Sequence, residues 1–255
     1  MNLSSKRWGR REAALGPQSS SNIAEGIKCL IPGCSRLAEK SEGRGLAQYY
    51  CRYHIQLKSR HGSYWHATYR ASDLRPYIRC AERWIKEHGD SPIYRGAYWQ
   101  LEHIMAGATR TEPAMRLRGR SAAYRAGIAL GRLRAANIST RRLICIYLAV
   151  TALIEDDFGS HRTREFRIVQ AAKAVHRLAS GTHRKWDVWD PYSEDIRHTE
   201  LHAYPRSSGH VLRKIGDTLE KACDELASAA VPEIIAMRTE RFGPHPSHPV
   251  ASKAS

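Results

Sequence analysis

Cys29, Cys34, Cys51 and His54 stand in the pattern C-x4-C-x16-C-x2-H. Three thiolates and one imidazole complete a tetrahedral set with no coordination position left for water. That favours a structural Zn2+ over a catalytic one. Pro32 and Gly33 can turn the chain so that Cys29 and Cys34 face one ion, since proline presets φ and glycine accepts positive φ. Gly43 and Gly45 punctuate the return and suggest a small hairpin or loop. Cys51 and His54 are three residues apart and share a face in the first turn of a helix. Between the ligands lie Ser35, Arg36, Glu39, Lys40, Ser41, Glu42 and Arg44, which offer no local apolar core. A segment this small needs a metal or cross-links to hold it. The competing reading is ordinary buried cysteines beside a surface histidine. A knuckle, a hairpin and a helix bearing the second ligand pair predict a treble-clef-like finger.

Gly33-Cys34-Ser35-Arg36, Ala38, Gly45-Leu46, Cys51-Arg52-Tyr53-His54 and Arg60-His61-Gly62 together resemble small zinc modules of phage and mobile-element proteins, often found near HNH-type nucleases. The chain departs from that pattern at Ala47-Gln48-Tyr49-Tyr50, where the modules pass from leucine directly to cysteine. The resemblance covers about residues 29–62. It supports the four ligands and implies nucleic acid as a partner, although treble clefs also serve as plain scaffolds.

The 255 residues carry a formal charge of +16 and a pI near 9.9. Such an excess favours anionic partners, chiefly nucleic acid or an acidic membrane surface. It is uneven: residues 1–70 carry +8, 71–140 carry +6 and 141–255 only +2. The polyanion-facing part is therefore expected in the N-terminal half. The remaining cysteines, Cys80, Cys145 and Cys223, are far apart and form no disulfide framework, which suits a reducing cytosol. No apolar run follows Arg11, so a signal peptide is not expected. The longest apolar run, Leu143 to Ile154, is too short to span a bilayer.

Hydrophobic periodicity predicts helices over most of the rest. A basic helix over 52–61 carries Arg52, Lys58 and Arg60. Aromatic residues Tyr64, Trp65 and Tyr69, interleaved with His61, His66 and Arg70, could form a stacking surface or anchor the finger. His61 and His66 are spare ligands should His54 not be one. Further helices are expected from a Ser72 cap to His88 and over 92–107, where a lone Glu102-His103 pair lacks the partners of a catalytic motif. An arginine-rich helix opening at Thr111-Glu112-Pro113 is expected to run to about Ala136, bearing Arg116, Arg118, Arg120 and Arg125. A turn at Asn137 makes it superficially a helix-turn-helix with the apolar helix 140–156. Glu155, Asp156 and Asp157 then oppose the helix dipole. Asp156, Asp157 and His161 could bind a divalent ion, but three adjacent acids cannot all face one point and a solvated helix end is the better reading. Helices at 163–180, 209–229 and 231–241 follow, the last two divided at Pro232. Residues 181–206, rich in aromatics and histidines, are expected to be an irregular loop with His198 and His202 on a short helix.

The sequence thus predicts a mainly α protein: a disordered basic arm (1–25), a treble-clef-like zinc finger (26–66), an all-α domain (67–242) and a disordered tail (243–255). Zn2+ is the expected cofactor, structural in role. Nucleic acid, with double-stranded DNA the expected form, is the partner, contacted through Arg52, Lys58, Arg60, Arg116, Arg118, Arg120 and Arg125. The helical domain is a candidate surface for a protein partner, no membrane is expected, and the location is cytoplasmic. The alternatives are a nuclease or recombination enzyme, and a zinc-stabilised scaffold that touches no nucleic acid.

Overall fold

Leu143 to Ile154 leave no polar face, and a helix of that kind belongs at the centre of a protein. The computed structural model describes residues 27–38, 49–112, 114–179, 183–202 and 207–248. Among them are seven α-helices: α1 Arg52–His61, α2 Ala71–His88, α3 Pro92–Ala106, α4 Ala122–Ala135, α5 Thr140–Asp156, α6 Arg164–Leu178 and α7 Gly209–Phe242. A 3-10 turn occupies Ala114–Leu117, and β1 His183–Asp190 pairs with β2 Asp195–His202. The expected basic arm, the Gly43–Gly45 return and the last seven residues lie outside the described residues.

The chain divides into two units, residues 1–56 and 57–255, with the division inside α1. In the second unit α5 is buried along nearly its whole length, with Leu143, Ile144, Tyr147, Leu148 and Leu153 fully enclosed. It packs against α2, α3, α6 and α7, while α7 lies against α2, α3, α4, α5 and α6. Each large apolar side chain enclosed in this way contributes about 1.5–3 kcal/mol. The α6–α7 crossing is close because of Gly216, where a Cβ would meet the carbonyl oxygen of Ile168 at 2.3 Å. Hydroxyls set the helix starts: Ser91, Ser121, Ser139 and Thr163 accept the N–H of Tyr94, Tyr124, Arg142 and Phe166. Each such cap is worth about 1 kcal/mol. Helix α2 starts one residue before the expected Ser72 cap, and Asp73 accepts the N–H of Arg70 at 2.9 Å.

Four expectations change. First, Arg116, Arg118 and Arg120 are not on a long helix. The 3-10 turn and Gly119, at φ 78°, interrupt the chain before α4 begins at its Ser121 cap. Second, α7 runs 34 residues through Pro232. Ala230, Val231 and Ile234 are buried on both sides of it, and that packing outweighs the roughly 3 kcal/mol cost of an interior proline. Third, residues 183–202 are an antiparallel hairpin in register His183↔His202 to Asp190↔Asp195, so His198 and His202 lie on a strand. The alternation Lys185, Trp186, Asp187, Val188 is the period-two signal of a strand. Because of this hairpin the second unit is mainly helical rather than all-α. Fourth, residues 243–248 do not trail away. Ser247 accepts the N–H of Phe158 at 2.9 Å, and His248 meets the carbonyl of Asp156 at 2.8 Å.

Helices α4 and α5 meet at a bend of 118°. Leu133 O accepts from Ile138 N, and Asn137 has φ 54°, the closing pattern of a left-handed helix cap. The angle suits a helix-turn-helix, but α5 is buried and so cannot enter a groove. No single helix among the described residues is long and apolar enough to cross a membrane.

Candidate metal centre

The first ligand pair sits on a tight turn. Cys34 N donates to Ile31 O at 3.0 Å, and Gly33 holds φ at 77°. With proline before it, this is a type II turn, whose third position requires that conformation. Two short strand-like segments flank the turn. Cys29 N donates to Arg36 O at 2.9 Å, Ala38 N to Ile27 O at 2.8 Å, and Lys28 bridges Leu37 antiparallel.

The second pair sits at a helix start. Cys51 immediately precedes α1, and His54 is that helix's third residue. Leu30 N donates to Tyr49 O at 2.9 Å, which brings the chain before Cys51 beside the knuckle. Arg36 lies over the Tyr53 ring, 4.8 Å from its centre, a second link between the two pairs.

These local structures bring four ligand atoms together: the three Sγ atoms and the His54 nitrogen all lie within 4.8 Å of one another. His54 Nδ1 is 3.2 Å from Cys29 Sγ and 3.4 Å from Cys51 Sγ, and Cys34 Sγ is 3.9 Å from Cys51 Sγ. A tetrahedral zinc with ordinary bond lengths has edges of about 3.8 Å between thiolates and about 3.6 Å from thiolate to imidazole. The residues present therefore fit such an ion. No two of the cysteines are joined in a disulfide, and Cys29, Cys51 and His54 are buried.

The electrostatics favour the ligand forms of Cys51 and His54. Burial pushes the Cys51 thiol up, but the His54 N–H, hydrogen bonds from Cys29 and Cys34, and the Tyr53 N–H together bring it below the usual thiol value. Burial, then the Arg36 charge, holds His54 below the usual histidine value and so neutral. At Cys34 the Arg36 N–H favours thiolate, but burial and the other two cysteines push the thiol up on balance. Three sulfurs this close cannot all ionise without a cation among them.

The cationic residues singled out from the sequence are not one set. Arg52 and Arg60 are exposed. Lys58 is committed internally: it pairs with Glu165 at 2.5 Å and donates to Gly62 O at 3.1 Å. Arg116, Arg118 and Arg120 are exposed, with Arg120 over the Tyr124 ring at 5.3 Å, whereas Arg125 is half-buried on α4. Other arginines nearby serve the fold. Arg134 donates to Met105 O and Ala106 O at the end of α3, and Arg142 pairs with Glu82 at 2.5 Å.

The acids at the end of α5 are a correction. Glu155 is exposed, but Asp156 and Asp157 are only 3% and 7% exposed. Tyr77 donates to Asp156 Oδ2 at 2.5 Å, and Tyr69 to Asp157 Oδ2 at 2.9 Å. His248 is 3.0 Å from Asp156, while His66 and His245 are 3.7 and 3.9 Å from Asp157. Burial opposes ionisation of Asp157, but Ser247, Tyr69 and the Gly159 N–H hold its carboxyl below the usual range. His161, expected beside these acids, instead packs against Trp65 in a tilted arrangement, ring centres 4.2 Å apart. The cluster is a polar network buried at a helix end. Its partners are 79 and 88 residues away in the case of the tyrosines, which is why no local pattern announced it.

In comparisons with protein-family models, curated proteins and solved structures, nothing matches this chain. Fold and site define a mainly helical protein with a Cys3His cluster near its N-terminal end, able to hold a metal ion.

Proposed function

We propose that this is a nucleic-acid-binding protein whose N-terminal unit is a treble-clef-like finger built on one structural Zn2+, with double-stranded DNA as its partner. Cys29, Cys34, Cys51 and His54 hold the ion, and the tetrahedral spacing of their four atoms supports that assignment. The binding role is carried by the +16 charge, concentrated before residue 141 and displayed on exposed Arg52, Arg60, Arg116, Arg118 and Arg120. Arginines of this kind neutralise phosphates and release counterions, so affinity falls steeply with salt. Contacts to the backbone position a protein without reading sequence, and no side chain here is assigned to a base edge. The test is an anisotropy titration of a labelled duplex at several salt concentrations. Salt-dependent, saturable binding is expected. No binding above background at physiological salt would leave a zinc-stabilised scaffold in its place.

A further inference from the structure

The second unit contains a cavity of about 850 Å³ lined from α1, α6 and the start of α7. Its charged lining is cationic: Arg60, Lys173 and Arg177, accompanied by His61 and His176. Lys173 Nζ donates to Thr68 Oγ1 and meets His61 Nδ1, both at 2.8 Å, so its close partners are neutral. The charged groups acting on Lys173 are Arg177 and Arg60. With burial the larger cause, they bring the ammonium down to about 8. Burial, then the charges of Lys173 and Arg60, bring His61 down to about 4. A fold that gathers like charge around a partly desolvated ammonium is held back by repulsion, and an anion in the cavity removes it.

The hydrogen-bonding groups around these cations match a tetrahedral oxyanion. Ser207, Ser208 and Gly209 form part of the wall. Ser208 is the N-cap of the 34-residue α7, yet its side chain makes no capping bond. The first backbone bond of that helix is Leu212 N to Ser208 O, so the N–H groups ahead of it belong to the end of the helix that favours negative charge. Ser207 Oγ lies 2.7 Å from His176 Nε2, placing a second hydroxyl beside the cations. Planar carboxylates offer two acceptor oxygens, whereas a phosphate offers three or four to this many donors.

We propose that this cavity is a phosphate-binding site, in which Lys173 and Arg60 neutralise the group and Ser208 with the first turn of α7 donates to its oxygens. The phosphate is either that of a nucleic-acid strand, a source that rests on the function proposed above, or that of a free nucleotide. The chemistry of the site is the same for both.

The test is a calorimetric titration of inorganic phosphate into the full-length protein, against sodium chloride of equal ionic strength. Saturable binding is expected, weakened about tenfold or more in Lys173→Gln and in Arg60→Gln, as loss of a charge-assisted bond implies. Arg83→Gln, which removes an exposed cation paired with Glu87, should bind as wild type does. Arg60 is exposed, so its replacement tests the site even if Lys173→Gln disturbs the fold. Two further ligands identify the source. Phosphate that displaces a bound duplex points to a strand, and a nucleoside monophosphate that binds more tightly than inorganic phosphate points to a free nucleotide. The proposal is overturned if phosphate behaves as chloride does, or if both variants bind it like wild type. Duplex binding that survives either result leaves the nucleic-acid reading standing without the cavity, and phosphate binding without duplex binding does the reverse.

Discussion

Cys51 Sγ lies 3.4 Å from His54 Nδ1 because the two residues flank the first turn of one helix, α1. That helix has ten residues, and an isolated helix of such length is marginal in water. A metal bound at this cluster would therefore stabilise the helix that presents two of its ligands, and the helix in turn places those two ligands for the metal.

Removing a ligand should undo both. Cys51→Ser is expected to abolish zinc retention and to lose the order of residues 27–38 and 49–54, because metal affinity in a small site is folding free energy. The core of the second unit contains none of the four ligands, so its cooperative melting should persist. Metal content by atomic absorption and melting by circular dichroism read the two effects separately. Full zinc occupancy in the variant removes the assignment.

Cys80, Cys145 and Cys223 should be reduced and slow to react. All three are buried, and burial pushes the Cys145 and Cys223 thiols up to about 12, far from the thiolate that reacts. Mass measurement after brief alkylation of the native protein should find them unmodified, and after denaturation alkylated in full. A native disulfide would appear as two fewer labels.

Tyr77→Phe should destabilise the second unit by about 1–3 kcal/mol, since it strips a donor from a carboxylate that stays buried. Tyr77 is 1% exposed and Asp156 3%, so water cannot replace the hydroxyl without opening the core. Urea unfolding measures the loss. An unchanged midpoint would mean that His248, 3.0 Å from Asp156, and Arg238, 3.9 Å from it, already satisfy the carboxylate.

Acid should weaken the fold in two stages. His61 stands at about 4 in the fold against an ordinary 6.5. Between those values the unfolded chain binds a proton that the folded chain does not, so stability falls as pH drops from 6.5 to 4. Screening at the ring's exposed edge limits this to about 1–2 kcal/mol. Asp157 is depressed below 3.8, so its contribution is present above that value and is lost at lower pH as the folded carboxyl protonates. Stability curves from pH 7 to 3 should flatten over the first stage in His61→Gln. An unaltered slope there would show that His61 is not held neutral.

Replacing Arg116, Arg118 and Arg120 together should reduce the salt slope of duplex binding by one to three units, at about 0.9 for each phosphate no longer neutralised. They lie on a turn and bend, so the angular spread of a helix no longer limits how many face one duplex. Lys58→Gln should instead lower stability and leave the slope unchanged, because Lys58 is paired with Glu165. A triple variant with the wild-type slope would confine these arginines to solubility.

The sequence by itself determined what depends on near neighbours. Proline and glycine between Cys29 and Cys34, and a three-residue step from Cys51 to His54, dictate a turn and a helix start, and two such pairs need only meet to make the metal cluster. The central place of Leu143 to Ile154 was equally legible, since a helix without a polar face has one place to go. Tertiary structure decided the rest. Asp156 and Asp157 read as a solvated end until tyrosines from α2 and the segment before it supply donors. Pro232 reads as a break until packing on both sides outweighs the lost bond. Lys58 and Arg60 are two cations of one basic helix in the sequence. Only the neighbouring Glu165 commits the first internally, and only α6 and the start of α7 turn the second into part of a cavity, because charge is local in the chain but its counter-charge is local in space.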